Sequence, residues 1–122
     1  MKLFLDDIRN PKDIYKDNNN WDWIIVRTYE EFVNYIKENG IPDFISFDHD
    51  LADEHYIEYF KSEEEKREFD YNKIKEKTGY DCAKWLIENG YEIKKYAVHS
   101  FNPVGKENIL NYLKNQIRSK KL

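Results

Sequence analysis

The chain has 122 residues, 40% apolar and 36% charged, with a net charge of −4 and one cysteine, Cys82. That length suits one compact domain, and 16% aromatic content excludes a disordered tail. No apolar run reaches the ~20 residues of a membrane helix, the start MKLFLDD is too short and acidic for a signal peptide, and one cysteine excludes a disulfide framework or a cysteine-rich zinc module. The expectation is a cytoplasmic single domain, residues 1–122, with no membrane partner. Its negative charge argues against an extended nucleic-acid-binding surface, though not against an enzyme that engages one phosphate end.

Four short apolar runs read as strands: Lys2 to Leu5, Trp23 to Val26, Phe44 to Phe47 and Tyr96 to Val98. None alternates, which suits strands buried on both faces of a parallel sheet. Between them lie helical signals. Tyr29, Phe32, Val33 and Ile36 make one apolar stripe, with Thr28 and Glu31 spaced as a capping box and Gly40 as a stop. A second helix covers about Tyr80 to Asn89, with Cys82 as a small buried apolar residue, and a third covers about Gly105 to Lys120 with Ile109, Leu110, Leu113 and Ile117 on one side. Pro11, Pro42 and Pro103 fall to connecting segments. Strands alternating with helices indicate an α/β fold.

The insertion at residues 52–78 departs from this alternation, mixing Tyr56, Ile57, Tyr59 and Phe60 with a charged run. It reads either as a solvated surface helix or as a lid, since it leaves directly from a polar strand end. A local echo also stands out. Glu38-Asn39-Gly40 leads to His49 and Glu88-Asn89-Gly90 to His99, each by nine residues from glycine to histidine. Neighbouring strands would set the two imidazoles side by side, ~4.8 Å apart in backbone.

Three strands end in polar clusters, Asp6-Asp7, Asp48-His49-Asp50 and His99-Ser100. Ligands of open parallel sheets bind outside the carboxyl ends of the strands. Four carboxylates and two imidazoles at one edge need a compensating charge, and such an oxygen-rich set suits Mg²⁺ or Mn²⁺. Asp7 taken alone reads as a turn residue. Arg9 follows in the first loop as a phosphate donor or as a salt-bridge partner of Asp7, and Ser100 to Gly105 lead into a helix N-terminus that favours an anion.

The motifs LFLDDIRNP, ISFDHDL, TGYDCAKWL and VHSFNPVG, spanning Leu3 to about Asn108, resemble the cyclic-phosphate-processing receiver-like domain family. More distantly, the acids resemble the pocket of two-component receiver domains. The resemblance implies a flavodoxin/receiver-like three-layer sandwich with sheet order 2-1-3-4. It also implies a metal pocket and processing of cyclic phosphates, for instance on RNA ends in repair or phage conflict. The family's motif positions fall on Asp6, Asp7, Arg9, Asp48, His49, Asp50, His99, Ser100 and Asn102. A signalling receiver would add a fifth strand with a lysine, which this chain lacks.

The resulting expectation is a metal-dependent phosphoesterase acting on a phosphate-containing small molecule or an RNA 2′,3′-cyclic phosphate end. Asp6, Asp7, Asp48 and Asp50 would hold Mg²⁺ or Mn²⁺, and Arg9, Ser100 and Asn102 would hold the phosphate. His49 and His99 would act as general acid and base, or one of them as a metal ligand. The alternative is a non-catalytic receiver-like module that binds a phosphate ligand or a protein. Phosphorylation at Asp48 ranks last, for want of the lysine.

Overall fold

The four apolar runs become the strands of one parallel sheet. The computed structural model describes residues 1–15 and 23–120, the last three in backbone alone. Its elements are β1 (Lys2–Leu5), α1 (Pro11–Ile14), β2 (Trp23–Val26), α2 (Tyr29–Asn39), β3 (Phe44–Phe47), α3 (Asp53–Glu65), a 3-10 turn (Tyr71–Lys73), α4 (Gly79–Glu88), β4 (Tyr96–Val98) and α5 (Pro103–Lys120). The sheet order is β2-β1-β3-β4, as expected for a flavodoxin/receiver-like fold.

Alternation along the strands sends side chains to two unlike faces. Leu3, Leu5, Val26, Ile45, Phe47 and Val98 face one way and form a single core with Phe32, Val33 and Ile36 of α2, Cys82, Ala83 and Leu86 of α4, and Ile109 and Leu113 of α5. The other face is aromatic. Trp23 meets Phe4 and Phe44 edge-on, and Tyr15, just after α1, stacks on Trp23 at 5.3 Å. In the described residues this layer is thin, made of α1 and Tyr15.

Local chemistry explains the helix ends. Thr28 Oγ accepts the Glu31 N–H at 3.1 Å, but the Glu31 carboxylate reaches past Thr28 to the Arg27 N–H at 3.0 Å, so the expected box is displaced by one residue. A full capping box forms instead at α4, between Thr78 and Asp81. Gly40, at φ 80°, turns the chain out of α2, a left-handed conformation that disfavours a Cβ. Two of the prolines expected in connections are the first residues of helices α1 and α5, where a missing N–H costs nothing.

The insertion is tied down by buried polar side chains. His55 is fully buried, accepts the Leu51 N–H on Nδ1 and donates from Nε2 to the Glu76 carbonyl, at 2.8 and 2.7 Å. Glu58 takes two bonds from the Arg67 guanidinium and a third from the Asp70 N–H. Arg67, then the Asp70 N–H working against partial burial, bring the Glu58 carboxyl down to about 2. Among the described residues no helix is long and apolar enough to cross a membrane.

Candidate active site at the carboxyl edge of the sheet

The register that pairs Leu5 with Phe47 and Phe47 with Val98 makes Asp6, Asp48 and His99 the next residues on three adjacent strands. The ladder continues through them, with Asp48 N–H to Leu5 O and His99 N–H to Phe47 O both at 2.9 Å. All three point to the aromatic face, and their ligand atoms lie within 4.8 Å of one another.

Asp6 is the organiser. One oxygen accepts the N–H groups of Ile8 and Arg9, and the other accepts Arg9 Nε at 2.9 Å and His99 Nε2 at 3.0 Å. Burial opposes its charge, but these bonds outweigh burial and hold the carboxyl well below the ordinary carboxylate range. Asp48 has the opposite balance. Burial first, then the Asp6 charge and that of Asp50, push it up to about 8 against the pull of Arg9. Burial, with Asp6 and Asp50 next, likewise raises Asp7 to about 6.

Four polar atoms of this edge are buried without a hydrogen-bond partner among the described residues: Asp7 Oδ1, Asp48 Oδ2, Asp50 Oδ2 and Arg9 Nη1. An orphaned buried polar group costs ~1–3 kcal/mol. Three such carboxylate oxygens and one guanidinium donor are the complement of a hard cation carrying an anionic ligand. The donor set therefore fits Mg²⁺ or Mn²⁺.

Arg9 pairs with Asp6 and not with Asp7, the partner weighed from sequence. Its Nη2 reaches the His99 carbonyl at 3.2 Å and stands 3.7 Å from Asp48 Oδ1, so a fixed cation lies beside the central carboxylate. Arg27 pins the loop that carries it, donating to the carbonyls of Asp6 and Arg9 and to Asn10 Oδ1.

His99 links the edge to the sheet interior. It stacks on Phe4 at 4.4 Å, and its Nδ1 is 2.7 Å from Ser46 Oγ, itself 2.7 Å from the Tyr15 hydroxyl. Burial lowers the His99 pKa, against the bond to Asp6. The ring is thus neutral near pH 7, donating from Nε2 to Asp6 and accepting the Ser46 hydroxyl at Nδ1.

The expected pairing of His49 with His99 does not form. The β3–β4 register matches residues fifty-one apart, Phe47 with Val98, whereas the histidines are fifty apart. A one-residue offset reverses the face of a side chain, so His49 points to the helical side. Its ring is fully buried, meets Phe69 edge-on at 5.2 Å, and lies where a Cβ on Gly105 would overlap it. Nδ1 donates to Asp50 Oδ1 at 2.7 Å, and Nε2 accepts the Tyr71 hydroxyl at 2.8 Å.

Of the other expected residues, Asp50 is buried beside Asn102, whose Nδ2 donates to it at 3.3 Å. Asn102 Oδ1 caps α5 by accepting the Gly105 N–H, so both ends of that amide are already engaged. Ser100 Oγ accepts the Asn102 N–H, leaving its proton to donate. The structure thus joins Asp6, Asp48, His99 and Arg9 directly, sets Asp7 and Asp50 beside them, and separates His49 and Asn102 from the open edge.

Several residues escaped the sequence reading. Tyr15, Ser46, Arg27 and Tyr71 reach the site through side-chain hydrogen bonds to residues far along the chain. The Tyr56 hydroxyl of α3 is pushed up by burial first and then by the charges of Asp48, Asp7, Asp50 and Asp6. Gly79 lies within the TGYDCAKWL motif; a Cβ there would overlap the Asp48 carbonyl oxygen, and its N–H donates to the His49 carbonyl at 2.8 Å.

Searches of curated proteins and of solved structures give no match to this chain. The model of one family, described as the cyclic-phosphate processing receiver domain, matches residues 1–115. With nearly the full length matched and a sheet order consistent with a receiver-like fold, the chain belongs to the cyclic-phosphate processing receiver domain family.

Proposed function

We propose that the domain is a metal-dependent phosphoesterase that opens cyclic phosphates, with nucleotide or RNA 2′,3′-cyclic phosphate ends as the substrate class. The observation that carries this reading is the set of buried unpaired atoms, three carboxylate oxygens and Arg9 Nη1, at one strand edge. Asp6 and Asp48 would hold the divalent ion, with Asp7 and Asp50 contributing from either side. A bound Mg²⁺ or Mn²⁺ supplies charge neutralisation at the phosphoryl oxygens and a more acidic water.

Arg9 would take a phosphate oxygen through Nη1, its other donors being fixed on Asp6 and His99 O, and the Ser100 hydroxyl lies in the adjoining loop to add a second donor. His99 has the means to move a proton in either direction. Ser46 can donate to Nδ1 or accept from it, because the Tyr15 hydroxyl can reverse its own bond to match. In the resting site Nε2 carries the N–H, which Asp6 accepts, and a lone pair there would need Asp6 to turn away. In hydrolysis, water adds to phosphorus, one ring P–O bond breaks, and the departing alkoxide gains the proton that the water gives up. His99 would carry that proton. His49 acts at one remove, by holding Asp50.

The test is incubation with uridine and adenosine 2′,3′-cyclic phosphates and Mg²⁺ or Mn²⁺, following the phosphomonoester by ³¹P NMR. Turnover that a chelator abolishes is expected. Tight binding without turnover would overturn the enzyme and leave a phosphate-binding receiver module.

A further inference from the structure

The two most exposed large apolar side chains of the described residues are Phe101, 80% exposed, and Ile8, 72% exposed. A single exposed apolar residue needs no explanation. These two flank Arg9, one in the loop after β4 and the other in the loop after β1, at the edge where the carboxylates converge.

Phe101 is not loose. The Arg9 guanidinium carbon lies 4.2 Å from the centre of its ring. That guanidinium is itself fixed by Asp6 through Nε at 2.9 Å and by the His99 carbonyl through Nη2 at 3.2 Å. One face of the ring is thereby backed by a clamped cation, an arrangement worth more than free contact with water. The opposite face is open, as the 80% exposure requires. The cation that orients the ring also carries Nη1, the unpaired donor assigned above to phosphate. A phosphate on Nη1 and a planar group on Phe101 would therefore sit one guanidinium apart on a single rigid support.

We infer that Phe101 is a stacking platform for a nucleobase, so that the ligand is a cyclic phosphate carried on a nucleoside, free or at an RNA terminus, and not a cyclic phosphate on a small polyol. This rests on the cyclic-phosphate reading and adds to it the side chain that holds the base. Aromatic stacking tolerates any base, since each offers a π face. The site would thus select for the presence of a base and little for its identity.

The test compares ligands that share the cyclic phosphate and differ in the base. Affinities of adenosine 2′,3′-cyclic phosphate, a short RNA ending in a 2′,3′-cyclic phosphate, and glycerol 1,2-cyclic phosphate are measured by calorimetry with Mg²⁺. Wild type should prefer both base-bearing ligands, and the tighter of the two identifies the source. Phe101→Leu, which keeps an apolar cover on Arg9 but removes the π face, should shrink the preference over the glycerol ligand by roughly 5- to 150-fold, the range of base–aromatic stacking. Phe101→Trp should retain it and show indole quenching on nucleotide addition. Equal binding of all three ligands by wild type would overturn the base site and leave the cyclic-phosphate reading intact. A Phe101→Leu effect of equal size on all three would also overturn it, since Phe101 would then only brace Arg9. If none of the three binds wild type, the cyclic-phosphate reading falls and the base site with it.

Discussion

Asp6 and Asp48 stand level on adjacent strands, yet they hold their protons at opposite ends of the carboxylate scale. Asp6 collects hydrogen bonds from His99, Ile8 and Arg9 and stays charged despite burial. Asp48, equally buried, has the Asp6 charge beside it and rises to about 8. At neutral pH the pair thus shares one proton, in a place where a divalent cation would supply the same compensation more strongly.

Cation and proton should therefore compete. Mn²⁺ or Mg²⁺ affinity is expected to rise between pH 6.5 and 8.5, with proton release near pH 7. Calorimetry in buffers of unlike ionisation enthalpy reads both. Asp48→Asn should abolish most of the release and weaken binding at least tenfold; equal affinities would remove Asp48 from the site.

The same group governs stability without a cation. A carboxyl raised in the folded state adds stability below its unfolded value of ~3.9 and loses it as pH rises through the folded one. For Asp48 that loss runs up to about 8, and for Asp7 it is complete near 6. His99, lowered by burial, loses stability only toward acid pH. Melting in chelator between pH 7 and 8 consequently isolates Asp48, because the buried Cys82 thiol, also raised, draws on stability only at higher pH. Wild type should melt lower as pH rises, whereas Asp48→Asn should give a flat profile and melt higher at pH 8. Parallel profiles would show that Asp48 titrates normally.

The strands and the helices α2, α4 and α5 were legible because each is a local pattern: an apolar run of three or four, or a stripe at helical spacing. The convergence of Asp6, Asp48 and the strand-end histidine followed from strand ends alone. What local pattern does not carry is register. His49 and His99 have identical spacing from Gly40 and Gly90, but the β3–β4 offset of one residue sends them to opposite faces. Arg27 on Asn10 and Tyr71 on His49 are likewise set by tertiary packing and have no short-range signature.

Ser46 is fully buried beneath His99. Ser46→Ala would leave His99 Nδ1 and the Tyr15 hydroxyl without their partner, at a cost of ~1–3 kcal/mol in urea unfolding. Tyr15→Phe, which leaves the Ser46–His99 bond in place, should cost less. If the pair relays protons, Ser46→Ala should also shift the pH–rate profile of any turnover.

Gly79→Ala tests how tightly α4 abuts the pocket. Its methyl would collide with the Asp48 carbonyl oxygen, which is backbone and cannot swing aside. Overpacking of this kind costs ~1–3 kcal/mol or more. The variant should lose stability and cation affinity together. Gly105→Ala meets the His49 ring instead and should spare Asp48 more. Wild-type stability in Gly79→Ala would mean that α4 sits farther from β3.

Tyr71→Phe asks whether the insertion supports the pocket or merely covers it. The Tyr71 hydroxyl donates to His49 Nε2 and accepts from Asn108 Nδ2 at 3.1 Å, joining the insertion to β3 and α5 through one oxygen. Without it, a buried imidazole acceptor and an amide donor both lose their partner, and unfolding in urea should come ~1–3 kcal/mol earlier. Phe69 and the Gly105 backbone still confine the ring, so the domain should fold. The effect should then pass along one line of bonds: His49 holds Asp50 Oδ1, and Asp50 Oδ2 is one of the three unpaired oxygens at the edge. A freer His49 lets Asp50 turn, and Mn²⁺ affinity should fall severalfold, less than in Asp48→Asn because Asp50 stands beside the central pair and not within it. Reduced stability with unchanged Mn²⁺ affinity would make Tyr71 a brace for the fold alone and would remove Asp50 from the set of cation ligands.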